Sequence, residues 1–194
     1  MQKEKDKSKP TKKKNTGKLF EAAIKSSTPP HCLLIRIPDP PQSFIKSENT
    51  RFSRQNPCDY LCYDSDTGLL HCWELKTTSA KSMSFEDIDS DEIQSKMIHK
   101  HQILGLLDFS KYKGVEAGFL FNFRHFEGEP NYIETTYYMD VNDFLKMTKS
   151  IDKKSFNEID AALYGAKRID GIKRRTRFGW DIDGFLKSQF QSNK

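Results

Sequence analysis

Runs of apolar residues switch between helical and strand periods along the chain, and each switch marks an element. From Gly17 to Lys25 (GKLFEAAIK), Leu19, Phe20, Ala23 and Ile24 recur at helical spacing. They predict a short amphipathic helix that ends before the Ser-Ser-Thr-Pro-Pro turn at 26–30. His31 to Ile37 (HCLLIRI) reads as a strand. Cys58 to Tyr63 (CDYLCY) and Leu69 to Thr77 (LLHCWELKT) are strand-like runs around residues 64–68, Asp-Ser-Asp-Thr-Gly, which suit a tight turn, so together they predict a hairpin. Ser84 to Phe109 predicts a long helical stretch, with Ile93, Met97, Ile98, His101, Gln102, Leu104, Gly105 and Asp108 spaced by threes and fours. Val115 to Phe123 and Tyr132 to Met139 predict two further strands joined by a polar loop with Gly128 and Pro130. Asp140 opens another helix toward Lys149, and residues 155–165 suit one more. The order of helix, strand, insertion, hairpin, long helix, hairpin and helix indicates an α/β domain, a mixed central β-sheet flanked by helices. Phe119, Phe121, Phe123, Tyr132, Tyr137 and Tyr138 fall on its strands and read as core.

Two segments stand outside this pattern. Residues 1–14 have no apolar residue but Met1 and read as a disordered basic arm. Residues 38–57 are polar and bounded by prolines, with Lys46, Arg51 and Arg54 set among Phe44 and Phe52; an insertion of this length in a compact domain is functional or disordered. At 194 residues and 36% hydrophobic content, the chain can bury one good core. The expected organisation is one domain over 15–165, with the arm at 1–14 before it and a basic C-terminal extension at 166–194. No apolar run reaches 18 residues, and no apolar stretch follows the charged N-terminus, so neither a membrane span nor a signal peptide is expected and the expected location is cytoplasmic. Cys32, Cys58, Cys62 and Cys72 sit in strand-like runs, as reduced core thiols do; a zinc site joining them to His31 or His71 would have spacings that match no ribbon or finger.

The net charge of +5 is unevenly spread. Residues 1–14 hold seven lysines against Glu4 and Asp6, which leaves the rest neutral in sum. Within that neutral body, residues 165–177 carry Lys167, Arg168, Lys173, Arg174, Arg175 and Arg177 against Asp170, while residues 84–92 are acidic. Separated basic segments on a neutral body suit a polyanion, because each neutralised phosphate releases counterions. Solvated tails are the alternative for the same residues.

The most informative residues lie on the predicted hairpin. Side chains alternate faces along a strand, so Glu74 and Lys76 share one face while Trp73 and Leu75 take the other. The turn brings Asp59 alongside them. Two carboxylates and an ammonium on one patch can hold Mg²⁺ or Mn²⁺ through hard oxygen ligands and place a cation beside an attacked phosphate. An ordinary ion pair on an edge hairpin is the alternative. Gln102, with Gln94 as its competitor, and Glu21 are further polar candidates. His99 and His101 either contact phosphate or decorate a helix.

Asp59 followed by Glu74-x-Lys76 resembles the signature of the PD-(D/E)XK nucleases, and other segments are similar to the RecU-type Holliday junction resolvases within that superfamily. Gly17-Lys-Leu-Phe-Glu21 with Ile24 is similar to their opening Gly-x-x-x-Glu helix. The insertion at 38–57 sits where they carry a protruding stalk. Ile98-His-Lys-His-Gln-Ile103 is similar to their His-x-His-Gln-Ile segment, and the strand ending at Arg124 sits where they have a hydrophobic strand ending near an arginine. The similarity covers roughly residues 15–145. Pro57 stands where the family often has Thr, and Thr16 where it often has Arg.

The resemblance implies a restriction-endonuclease-like fold with a stalk and a homodimeric, Mg²⁺- or Mn²⁺-dependent endonuclease that nicks four-way junctions symmetrically, leaving 5′-phosphate and 3′-hydroxyl ends. It implies Asp59, Glu74 and Lys76 as catalytic residues and Asp59, Glu74 and Gln102 as metal ligands, with Glu21 supporting them. Lys46, Arg51, Arg54, Arg124, Lys173, Arg174 and Arg175 are the expected DNA contacts. A short, lysine-rich version of the pattern suits a phage or mobile element. Two alternatives remain: a nuclease of the same superfamily acting on duplex or flap DNA, and a non-catalytic branched-DNA-binding protein.

Overall fold

The structure, a computed structural model, describes residues 15–38, 56–90, 95–175 and 178–192. Helix α1 (Thr16–Ser27) starts where the Asn15 side chain accepts from the Lys18 N–H at 3.2 Å. It buries Phe20, Ala23 and Ile24 from the predicted stripe but leaves Leu19 57% exposed. Then follow β1 (Cys32–Arg36), β2 (Tyr60–Asp64), β3 (Leu69–Thr78), β4 (Met83–Ser84), α2 (Lys100–Phe109), β5 (Val115–His125), β6 (Ile133–Asp140), α3 (Val141–Ser150), β7 (Ser155–Phe156) and α4 (Glu158–Leu163). The last elements are β8 (Lys167–Ile169), β9 (Gly171–Lys173), β10 (Phe178–Trp180) and α5 (Ile182–Ser192).

Six strands form one mixed sheet in the order β1-β2-β3-β5-β6-β8. Each of the first three is antiparallel to its neighbour, β3 runs parallel to β5 from Leu70 opposite Val115 to Thr78 opposite Phe123, and β6 and β8 complete the sheet antiparallel. A parallel pair needs a crossover, and the β3-to-β5 connection supplies it with β4 and α2. Alternation along the strands divides the core in two. Phe119, Phe121 and Met139 face α2, α3 and α4, with the tilted rings of Phe144 4.6 Å from Phe119 and Phe156 4.9 Å from Phe121, centroid to centroid. Trp73, Leu120 and Tyr138 face α1, β10 and α5. The predicted mixed sheet with helices on its faces, and the aromatic core, are what the chain forms. All four cysteines are free thiols, and Cys58, Cys62 and Cys72 are buried. Among the described residues no helix is long and apolar enough to cross a membrane.

Two predicted boundaries change. The helix expected over 84–109 is confined to its C-terminal part. Phe85 instead bridges Ile98, the Glu86 N–H donates to Ile98 O at 2.9 Å, and β4 pairs with β7. Clustered acids at 86–92 repel one another at helical spacing, and their aspartates favour turns, so helix begins only past them. The stretch read as a basic extension at 166–194 is folded into the body over its described residues, 166–175 and 178–192. β8 is the sixth strand, and Phe178, Trp180, Ile182, Phe185 and Leu186 are buried with α1. The charges of 165–177 hide this in the sequence, although Phe178, Trp180, Ile182, Phe185 and Leu186 recur closely enough to form an apolar face.

Gly105 sets how closely α2 approaches the hairpin. A Cβ there would lie 2.8 Å from Pro57 Cα and 2.9 Å from Pro57 O, and backbone cannot yield as a side chain end can. Gly105→Ala is therefore expected to destabilise the protein by about 1–3 kcal/mol, despite alanine's better helix propensity. Urea unfolding checks this, and a variant as stable as the parent would show that the contact between α2 and Pro57 is loose.

Candidate active site

Asp59, Glu74 and Lys76 come together as the alternation predicts. Asp59 stands one residue before β2, its N–H donating to Trp73 O at 3.0 Å, so it faces β3 where Glu74 lies. Its Oδ2 accepts the Leu75 N–H at 2.8 Å. Glu74 is 4% exposed, and its Oε1 receives Lys76 Nζ at 2.9 Å and Gln102 Nε2 at 2.5 Å. Gln102 is placed by α2: its Oε1 accepts the His99 N–H at 3.0 Å at the helix N-terminus, which turns its amide nitrogen toward Glu74. In this arrangement Gln102 braces a carboxylate as a donor, and ligation through its oxygen would require the amide to rotate away from His99. Gln94 lies outside the described residues.

Burial is the largest influence on Asp59 and pushes its carboxyl above the usual range. The Leu75 N–H and Lys76 pull it down, Glu21 pushes it up and Arg36 pulls it down. A raised carboxyl pKa favours the folded state while the group is protonated, below the ordinary value near about 3.9, and that contribution is lost as pH rises through the raised value. At neutral pH the patch therefore gains from a bound cation, and two carboxylate ligands suit Mg²⁺ or Mn²⁺. Asp59→Asn should raise the melting midpoint of the chelator-treated protein near pH 7 more than near about pH 4, where the parent carboxyl approaches protonation. Melts across that range check this, and a pH-independent difference would contradict the burial effect.

Glu21 lies on the α1 side, its Oε2 accepting from Arg36 Nε at 3.1 Å and from the Tyr60 hydroxyl at 3.3 Å. It influences Asp59 by charge, as a supporting acid does. His99 and His101 stack with ring centroids 5.5 Å apart. His99 Nδ1 lies 2.9 Å from Glu86 Oε1, and the other Glu86 oxygen accepts the Lys100 N–H at 2.7 Å. His101 is held below its usual pKa by burial, then by His99, with Glu86 opposing and Lys76 adding to the depression. Glu86, which organises this corner, was not singled out from the sequence; an acid in an acidic run carries no local signal of a partner 13 residues away.

Arg124 and the distant consecutive run Lys173, Arg174 and Arg175 line one groove of 540 Å³ against α1 that also contains Leu19, Tyr132 and Phe178. Arg124 is only 10% exposed in its side chain and is engaged: Nε donates to Thr77 Oγ1 at 3.1 Å and Nη1 pairs with Glu127. Behind it, buried Asn122 accepts from Thr77 Oγ1 at 2.7 Å and donates to Glu134 Oε2 at 3.0 Å, a network with no sequence signature. Lys173 Nζ donates to Tyr132 O at 3.0 Å. Lys46, Arg51 and Arg54 lie outside the described residues, as does the arm at 1–14. The ends of their insertion are tied together, however, by Asn56 Nδ2 donating to Pro38 O at 2.7 Å. The insertion thus leaves and rejoins the body at one point, three residues from Asp59.

No family model matches the chain. It is 33% identical over 141 residues to the SPbeta prophage-derived uncharacterized protein YotM of Bacillus subtilis (strain 168), a match covering 72% of this chain and 63% of that relative. The chain therefore spans less than two thirds of the relative's length. Among solved structures it is similar to Archaeoglobus fulgidus Hjc, a Holliday junction resolvase from an archaeal hyperthermophile, at 13% identity and a TM-score of 0.38, covering 78% of this chain and 87% of that one.

Proposed function

We propose that this protein is a divalent-metal-dependent endodeoxyribonuclease that nicks branched DNA, acting on four-way junctions as a homodimer in DNA recombination and repair. The observation that carries this reading is the meeting of Asp59, Glu74 and Lys76: two carboxylates, one of them 4% exposed, beside an ammonium bonded to the second. Asp59 and Glu74, with Gln102 behind them, would hold Mg²⁺ or Mn²⁺. The bound ion would supply a more acidic water and polarise the scissile phosphate. Lys76, held by Glu74, orients the attacking water and offsets the charge gathering on the phosphoryl oxygens. Attack forms the bond from the water oxygen to phosphorus and breaks the bond to the 3′ oxygen, leaving 5′-phosphate and 3′-hydroxyl ends.

Arg124, Lys173, Arg174 and Arg175 contact the DNA backbone from their groove, and Lys46, Arg51 and Arg54 do so from the insertion. Such contacts fix register and shape without reading sequence. The insertion's rooting three residues from Asp59 supports a role in steering a branch point toward the site. Symmetric nicking of two strands calls for two copies related by a twofold axis. The prophage-derived relative favours a phage setting.

Cleavage of a labelled four-way junction beside matched linear duplex, with Mg²⁺ and with EDTA, tests the proposal. Paired symmetric nicks that need the metal and vanish in Asp59→Ala are expected. Duplex cleavage without junction preference would reassign the substrate, and binding with no cleavage in Mg²⁺ or Mn²⁺ would leave a branched-DNA-binding protein.

A further inference from the structure

The end of β2 farthest from Asp59 gathers a second set of ligating atoms. His31 and Cys32 open β1, Asp64 closes β2 opposite Cys32, and Asp183 lies in the first turn of α5. His31 Nε2 is 3.8 Å from Asp64 Oδ1, 3.9 Å from Asp66 Oδ2 and 3.7 Å from Asp183 Oδ1. A ligand atom each from His31, Cys32 and Asp64 lie within 4.8 Å of one another. These separations are too long for hydrogen bonds. A tetrahedral zinc ion with ligands at about 2.0–2.3 Å sets neighbouring ligand atoms about 3.3–3.8 Å apart. The His31 separations of 3.8 Å from Asp64 and 3.7 Å from Asp183 suit atoms that share one ion, and the wider set that includes Cys32 would contract slightly around it.

The donors are also held in advance. The Asp64 side chain is 3% exposed, with Oδ1 accepting the Asp66 N–H at 2.9 Å and Oδ2 the Thr67 hydroxyl at 2.7 Å. The His31 carbonyl accepts the Ser65 hydroxyl at 2.8 Å, tying the histidine to the same turn. Asp183 supplies an independent sign. Its Oδ2 takes Lys187 Nζ at 2.7 Å, while its Oδ1, aimed at His31, is shielded from solvent and has no hydrogen-bond donor. A shielded carboxylate oxygen without a donor is stable only beside positive charge.

We propose that His31, Cys32 and Asp64 bind one zinc-class divalent ion, and that Asp183, which reaches the group at His31, closes on the ion as its fourth ligand. Imidazole, thiolate and carboxylate together are the donor set of zinc rather than of Mg²⁺, which takes oxygen ligands. On binding, the Cys32 S–H bond breaks, the proton leaves to solvent and a sulfur–metal bond forms, with no change of oxidation state. Asp64 lies five residues along the strand from Asp59, about 16 Å at strand rise, so this ion takes no part in phosphodiester chemistry. Its role is to staple the first turn of α5 to the β1–β2 edge, next to the apolar packing of Phe185 and Leu186.

Titration of the chelator-stripped full-length chain with Co²⁺ tests this. One equivalent should produce a thiolate-to-cobalt charge-transfer band, which Zn²⁺ then displaces. Cys32→Ser should abolish the band, and His31→Ala and Asp183→Asn should each weaken binding at least tenfold. Asp183 is 41% exposed in its side chain, so Asp183→Asn tests the ligand without disturbing the core. Asp59→Ala should leave the band unchanged, which keeps this outcome separate from that of the proposed nuclease site. Cobalt binding without the band, or a band indifferent to His31→Ala and Asp183→Asn, would overturn the site and leave His31 as the centre of three aspartates.

Discussion

Glu74→Gln is expected to cut DNA cleavage by roughly 10³-fold or more while leaving the chain folded. Glutamine keeps the shape of the side chain, and its carbonyl oxygen can still accept from Gln102 Nε2 and Lys76 Nζ, the two donors now at 2.5 and 2.9 Å. What disappears is one of the two negative charges that would hold the cation, in a place so buried that water cannot replace it. Lys76→Ala separates the roles. It removes the cation bonded to Glu74, so Mn²⁺ should bind at least as tightly as in the parent, yet nicking should still fall by a similar factor. Calorimetric titration with Mn²⁺ and a nicking assay on both variants check the pair. A Glu74→Gln protein that cleaved within tenfold of the parent would remove Glu74 from the chemistry and the proposed function with it.

Trp180→Ala is expected to cost about 3–5 kcal/mol, a third or more of a small domain's stability. Trp180 is 4% exposed, meets Phe20 edge-on at 6.4 Å and stacks on Phe178 at 6.0 Å. Its backbone N–H donates to Ser27 Oγ at 3.0 Å, a bond that Trp180→Ala keeps, and the absence of a side chain at Gly171 lets its ring lie against β9, where a Cβ would be 2.7 Å from the indole. Removing the indole opens a void between α1 and the sheet that neither can collapse to fill. Trp180→Phe should cost far less, because it keeps most of the ring and removes a buried indole N–H that has no acceptor. Urea unfolding of both variants checks the ranking. A loss below about 1 kcal/mol for Trp180→Ala would mean that residues 178–192 rest on the body without supporting it.

The parts of the site that follow from local periodicity were readable in the sequence. Strand alternation placed Glu74 and Lys76 on one face, and the turn at 64–68 returned Asp59 to their side. Gln102 is singled out by the likeness of residues 98–103 to a family segment, since helical spacing alone leaves Gln94 as its competitor. What each polar group does was not legible. Gln102 acts as a donor because His99, at the helix N-terminus, claims its oxygen. Arg124 reads as a free cation by its place at a strand end, yet Thr77 and Glu127 hold it. Contacts such as His31 with Asp183 depend on where distant elements dock, and no spacing rule reaches that far.

The hydrogen bond between Ser27 and Trp180 spans 153 residues, and it fixes the order in which this molecule can be made. Until residues 178–186 emerge during synthesis, the inner stripe of α1 and the Trp73–Leu120 side of the sheet cover each other only in part. The other layer, built on Phe119, Phe121 and Phe144, can close earlier. Closing so long a loop comes late and slowly, since its entropy is lost before the contact forms. A chain cut before Phe178 keeps Asp59, Glu74, Lys76 and the basic residues Lys173–Arg175, but it loses Phe178 from the floor of their groove and β10, the strand that pairs with β9.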